Sequence, residues 1–107
     1  MYTEILRKIL SKTCELSELT EEQVKASREE SARVARKILI EVLTTYFSDT
    51  EIAKFLCVKR QRVNAIRNSK KQEKRPFMER IMLRDLSVYT QLLLNEVETT
   101  QKQNKEP

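Results

Sequence analysis

The chain has 107 residues and a mass of 12.7 kDa, enough for one small folded domain but not for two hydrophobic cores. It contains no Gly, whereas the Walker phosphate loop and the dinucleotide-binding fingerprint need glycines where the backbone approaches phosphate. It has no His and only two cysteines, Cys14 and Cys57, which excludes an imidazole base and a four-ligand zinc site. We therefore expect a non-enzymatic protein that binds no nucleotide, metal or other cofactor.

The composition also bears on the cellular compartment. Two distant cysteines in a chain rich in Lys and Glu, with no charged-then-apolar leader in residues 1–10, predict reduced thiols in the cytoplasm. No stretch approaches the roughly 20 apolar residues of a membrane span, so we expect no membrane partner.

The formal net charge of +5 is concentrated in one segment. Residues 1–58 carry a net charge of −1, residues 59–75 a net charge of +7, and residues 76–107 a net charge of −1. Such a block favours contact with a polyanion, because Lys and Arg facing phosphates release counterions. The alternative is an ordinary solvated charge run. Four of its cations, in a predicted linker, are expected to add only non-specific attraction: Lys70, Lys71, Lys74 and Arg75.

Helices are predicted almost throughout, because Gly is absent and Pro occurs only at positions 76 and 107. In residues 2–10 the apolar side chains follow the i, i+3, i+4 spacing of an amphipathic helix over the first dozen residues. Residues 20–23 form a capping box that begins a short helix. Residues 27–30 repeat that spacing and open a longer core helix, whose apolar face runs over residues 34–46.

A third capping box at residues 48–51 begins a helix at about Asp49, and Pro76 suits the first turn of a last helix. The apolar stripe of that last helix consists of Met78, Met82, Leu86, Tyr89, Leu93 and Val97. It either covers the core of the same chain or pairs with a second copy in a homodimer. The chain is thus predicted to be an all-α domain over residues 1–98, followed by a disordered polar tail at 99–107.

Residues 49–68 have the pattern of a helix-turn-helix. Its inward positions and turn are Ile52, Ala53, Leu56, Cys57, Val58, Val63 and Ile66. A small residue at 53 lets the two helices cross closely, and the later anchors hold the second helix at a fixed angle for a major groove. Cys57 takes the position where Gly is usual because φ is positive. We interpret Cys57 as a small, half-buried turn residue and not as a nucleophile.

The outward positions of the second helix are Lys59, Arg60, Gln61, Arg62, Asn64, Arg67 and Asn68. Arg pairs bidentately with guanine, and Gln or Asn with adenine, so Arg60, Gln61 and Asn64 are the predicted base readers. Lys59, Arg62 and Arg67 are predicted phosphate contacts. Three cations at an uncapped helix start each cost about 0.3 to 1 kcal/mol, which bound phosphate would offset. The alternative is a helical hairpin whose charges are merely solvated.

The run ELTEEQVKASREESARVARKILIEVL, followed by DTEIAKFL, resembles the C-terminal DNA-binding domain of DnaA, the bacterial chromosomal replication initiator. The resemblance covers about residues 15–70 and implies a Trp repressor-like helix-turn-helix fold. By that similarity Arg28 would enter the minor groove and Arg36 would contact the DNA backbone. Taken alone, Arg28 would be an exposed arginine neutralised by Glu29 and Glu30.

The start of the second helix departs from the family. Where the family has Arg-Asp-His-Thr-Thr-Val, this chain has Lys-Arg-Gln-Arg-Val at residues 59–63, one residue shorter, which predicts a different target site. With no phosphate loop, the chain looks like a free-standing relative of the DNA-binding domain without an ATPase domain. We expect a sequence-specific double-stranded DNA-binding protein that regulates transcription or replication.

Two other classes compete with this expectation. One is a helical protein-interaction subunit of a replication or mobile-element complex, whose basic helix docks on an acidic surface. The other is binding to RNA or single strands, which usually stacks bases on aromatic side chains. Residues 59–75 contain no aromatic residue, which places this class last.

Overall fold

The computed structural model describes the backbone of residues 2–69 and 75–105 and the side chains of residues 3–69 and 75–96. This part of the chain forms six α-helices and no β-strand, which confirms the all-α prediction. The helices are α1 (Tyr2–Ser17), α2 (Glu21–Ala26), α3 (Glu30–Leu43), α4 (Asp49–Leu56), α5 (Arg60–Asn68) and α6 (Phe77–Lys105).

Helix α3 is the centre of the hydrophobic core, as its long apolar face predicts. It packs against α1, α2, α5 and α6, and its residues Leu39, Ile40 and Leu43 are fully buried. Ile9 from α1 and Leu86 from α6 are also fully buried in the same cluster. Burying each such side chain contributes about 1.5 to 3 kcal/mol, so the four helices are held on α3 mainly by hydrophobic burial.

Two of the three predicted capping boxes cap helices. At α2 the Gln23 N–H donates to Thr20 Oγ1 over 3.1 Å and the Thr20 N–H donates to Gln23 Oε1 over 2.9 Å. At α4 the Glu51 N–H donates to Ser48 Oγ over 3.2 Å. The box predicted at residues 27–30 is wrong, because Ser27 is already the C-cap of α2 and α3 begins at Glu30 without a side-chain cap.

Helix α6 packs along α1 and α3 of its own chain. Leu86 and Leu93 of the predicted stripe are buried, but Met78 is 73% exposed, because it lies at the rim of a shallow apolar groove. Val97 lies outside the residues whose side chains are described. The helix includes residues 99–105, which the sequence predicts to be a disordered tail, because a polar segment without Gly or Pro extends an existing helix at little cost. Residues 106–107 lie outside the described part.

The end of the predicted linker is attached to the core. Arg75 forms an ion pair with Glu41 of α3, and both side chains are largely buried. The hydrogen bond from Arg75 to Glu41 raises the pKa of the guanidinium above its usual value, although burial acts in the opposite direction. Arg75 is thus held within the chain and is not a free cation. Lys70, Lys71 and Lys74 lie outside the described residues.

Candidate nucleic-acid interface

Helices α4 and α5 form a helix-turn-helix, joined by residues 57–59. Cys57 adopts the left-handed conformation, with φ 57° and ψ 42°, as the Gly-like turn position predicts. The N–H groups of Cys57 and Val58 donate to the Ala53 carbonyl, which ends α4 and turns the chain toward α5. The prediction of a half-buried thiol is wrong: Cys57 is exposed, and its Sγ lies 4.0 Å from the Lys54 carbonyl in the last turn of α4.

Replacing Cys57 with Gly should stabilise the fold by about 0.5 kcal/mol. A residue with a Cβ pays about 1 to 2 kcal/mol in the left-handed region, and the greater chain entropy of Gly offsets part of that gain. Thermal unfolding should show a midpoint higher by about 2 to 4 °C. Cys57→Ala is the matched control, since it removes the thiol but keeps the Cβ. An equal shift in both variants would contradict the explanation by backbone strain.

The inner face of α5 is anchored as the sequence pattern predicts. Val63 is fully buried and Ile66 is half-buried. Ile52 and Leu56 of α4 are buried in the same cluster, and α5 also packs against α3. The inner face of α5 therefore packs against α3 and α4, which hold the helix in place.

Arg67, one of the predicted phosphate contacts, is used within the chain. Its Nε–H donates to Asp49 Oδ1 over 2.6 Å, Nη1 donates to the Thr44 carbonyl over 2.7 Å, and Nη2 donates to the Phe47 carbonyl over 2.8 Å. The side chain therefore ties the end of α5 to the α3–α4 connection and to the first turn of α4. Three of the guanidinium's five N–H donors are committed to these bonds, so the structure does not place Arg67 as a free cation.

Arg36 also departs from the sequence prediction. The residue is 7% exposed, and its Nε–H donates to the Val24 carbonyl and its Nη2 to the Ser27 carbonyl, each over 2.6 Å. Burial lowers the pKa of the guanidinium below its usual value, and the charges of Arg62 and Arg33 lower it further. Arg36 supplies donors to the carbonyls at the end of α2 and is not accessible to a DNA backbone in this arrangement.

The outer face of α5 presents amide side chains. Helical periodicity places Gln61, Ala65 and Asn68 opposite the buried Val63 and Asn64 at the edge of that outer face, and all four are exposed. Asn68 Nδ2 donates a hydrogen bond to Asn64 Oδ1, so these two amides lie side by side along the helix. A firmly anchored helix therefore displays three primary amides in a row.

The cations of α5 are divided between the start of the helix and its two flanks. Lys59 is the N-cap residue, with no side-chain capping bond, and the first turn contains no acidic residue. Arg60 lies on the flank beside the α3–α4 connection, together with Arg67. Arg62 lies on the opposite flank, facing α3. Lys59, Arg60 and Arg62 are exposed and have no carboxylate within 4.0 Å among the described side chains.

A groove between α3 and α5 contains two cations that the sequence reasoning missed. It is lined by Arg28, Glu30, Arg33, Val34, Lys37, Arg62, Ala65 and Ile66. Arg33 and Lys37 lie one turn apart on α3, and both side chains are exposed. In the sequence they stand next to residues of the apolar face of α3. Their spacing was visible in the sequence, but their position next to α5 depends on tertiary packing. Arg28, from the α2–α3 connection, is exposed at the same groove.

The described residues contain no group of three or more His, Cys, Asp or Glu side chains that could hold a metal ion. Cys14 is half-buried, and burial together with Glu21 raises the pKa of its thiol above the usual value. None of the helices in the described ranges combines the length and the hydropathy needed to cross a membrane. Comparison with known protein families, curated proteins and solved structures finds no match to this chain.

Proposed function

We propose that this protein binds double-stranded DNA in a sequence-specific manner, with α5 in the major groove. The observation that supports this proposal most directly is the exposed row of Gln61, Asn64 and Asn68 on a helix whose opposite side is buried. Gln and Asn amides pair bidentately with the N6 and N7 atoms of adenine, and the exposed methyl group of Ala65 suits a thymine methyl. The proposed site therefore favours A·T pairs at its centre.

The charges around α5 are consistent with this role. Lys59, Arg60 and Arg62 raise the energy of the helix N-terminus, and no carboxylate of the described residues neutralises them. A bound phosphate would relieve this repulsion, and Arg60 has the length and the fork geometry to reach a guanine edge beside the amide row. Arg36 and Arg67 are left out of the proposed interface because their donors are already engaged.

The resemblance to the DnaA C-terminal domain supports the same class and adds one contact. Arg28 is exposed at the groove beside Arg62, where an arginine could extend from the protein toward the minor groove. A regulator of transcription or replication, acting at the nucleoid in a bacterial cytoplasm, is the corresponding biological role. A homodimer would have to use surface other than the stripe of α6, because Leu86 and Leu93 are buried within the chain.

Interaction with another protein is the second candidate function, and one surface favours it. Phe77 is 66% exposed and Met78 is 73% exposed at the start of α6. A protein partner would bury these apolar side chains, and the basic helix α5 would dock on an acidic surface of that partner. Binding of a purified partner, combined with no affinity for duplex DNA, would select this candidate.

Selection of bound duplexes from a random pool tests the DNA-binding proposal. We expect the wild-type protein to enrich one short sequence, and Gln61→Ala or Asn64→Ala to weaken the preference at one base pair each by about 1 to 3 kcal/mol. Gln91→Ala is the matched control, because Gln91 is an exposed amide on α6. A random pool that shows no enrichment would contradict the proposal, and so would an enriched sequence that both α5 variants leave unchanged.

A further inference from the structure

We propose that the groove between α3 and α5 binds the phosphodiester backbone of one DNA strand, with Arg33 and Lys37 of α3 acting together with Arg62 of α5. This inference rests on the proposed function, since it assigns a second contact surface beside the helix that would read the bases. The ligand group is the phosphodiester, and its source is the strand that faces the Arg62 flank.

The groove between α3 and α5 has cations on both of its sides. Arg33 and Lys37 are four residues apart on α3 and lie on one side of the groove, and Arg62 lies on the other side. Between them the lining is apolar, formed by Val34, Ala65 and half-buried Ile66. A nucleic-acid strand matches this arrangement, because its sugars can lie on Val34 and Ile66 while its phosphates meet the cations at the edges.

The three cations of the groove are not neutralised by ion pairs among the described side chains. Arg33, Lys37 and Arg62 have no carboxylate within 4.0 Å among the described side chains, although other arginines of this part, such as Arg67 and Arg75, are paired. Glu30 is the only acidic residue that lines the groove. Burial lowers the pKa of Arg36, and the charges of Arg62 and Arg33 lower it further, so these two cations of the groove act on the same neighbouring group. Like charges that line one groove without a neutralising carboxylate favour binding of an anion.

The groove lies along one flank of α5. A helix in a major groove has one phosphate strand on each side. The Arg62 flank of α5 faces α3, and the Arg60 flank faces the α3–α4 connection. Arg33 and Lys37 therefore extend the Arg62 flank and contact the same strand, leaving the other strand to Lys59. All of the added affinity should be independent of base sequence.

The salt dependence of duplex binding by the full chain tests this inference. The slope of log K against log salt is negative, and the double variant Arg33→Gln/Lys37→Gln should reduce its magnitude by about two. The selected sequence should not change. The matched control is Lys8→Gln/Arg84→Gln, which removes two exposed charges on α1 and α6. All four positions are exposed, and circular dichroism checks that both variants keep the helical fold.

Neutral phosphate analogues identify the strand. Single methylphosphonates placed along the selected duplex should weaken wild-type binding on both strands. On one strand, at two adjacent positions, the loss should disappear in the Arg33→Gln/Lys37→Gln variant. Equal slopes for the groove variant and its control, with salt-dependent wild-type binding, would overturn the groove and leave the proposed function standing. A wild-type slope near zero, or tight binding of an acidic peptide in place of duplex, would overturn both.

Discussion

Replacing Arg36 with Met should lower the free energy of unfolding by about 3 kcal/mol. The guanidinium of Arg36 donates over 2.6 Å to the Val24 carbonyl and over 2.6 Å to the Ser27 carbonyl, and the residue is 7% exposed. Hydrogen bonds from charged donors contribute about 1.5 to 3 kcal/mol each, and a buried acceptor that loses its donor adds a desolvation cost. Met keeps most of the apolar stem, so little of the effect comes from lost packing, and removal of the buried charge offsets only part of the cost of the two lost bonds. Urea unfolding followed by circular dichroism measures it.

Arg33→Met is the matched control for that experiment, because Arg33 lies on the same helix and is exposed. It should change the stability by no more than about 0.5 kcal/mol. Arg36→Lys should recover little, since an ammonium group cannot reproduce the planar fork that spans two carbonyls. If Arg36→Met were as stable as the wild type but had a salt slope for DNA lower by about one, Arg36 would be a phosphate contact after all.

Replacing Arg67 with Gln should cost about 2 kcal/mol of stability without changing the salt slope for DNA. The Thr44 and Phe47 carbonyls would each lose a charged donor, and Asp49 would lose its ion pair. Asp49→Asn removes the ion pair and one favourable charge in the first turn of α4. The Arg67 and Asp49 side chains are 37% and 16% exposed, so solvent screening limits the loss from the ion pair to about 1 kcal/mol.

A double-mutant cycle separates these contributions. The coupling energy between Arg67→Gln and Asp49→Asn should be about 1 kcal/mol, because the two side chains contact each other directly. Both single variants should also weaken base discrimination, since the end of α5 that carries Asn64 and Asn68 would be less firmly held. The structural role would be contradicted if the two changes in the free energy of unfolding were additive and if Arg67→Gln alone reduced the magnitude of the salt slope by about one.

Features that depend on neighbouring residues were predictable from the sequence. The spacing of Ile52, Leu56 and Val63 predicted the helix-turn-helix, because apolar periodicity and burial are directly related. The Thr20 capping box was predictable because its two hydrogen bonds join residues that are only three positions apart in the sequence. The prediction of a capping box at Ser27 was wrong because Ser27 is the C-cap residue of α2.

The directions of the arginine side chains were not predictable. Arg36 binds a carbonyl 12 residues earlier in the chain, and Arg67 binds partners 18 to 23 residues earlier. Nothing in the local pattern distinguishes these two arginines from Arg60 or Arg62, which are exposed on the same or a neighbouring helix. A long cation can serve either the fold or a ligand, and only the packed structure shows which carbonyls lie within its reach.

The exposed thiol of Cys57 makes the protein suitable for site-directed labelling without any engineered residue. It lies at the turn between α4 and α5, while Cys14 is half-buried and its raised pKa keeps the fraction of reactive thiolate low. A maleimide fluorophore added in limiting amount would therefore attach mainly at one place. That single dye would sit at the edge of the proposed interface, where its emission and anisotropy follow the approach of a labelled or unlabelled oligonucleotide.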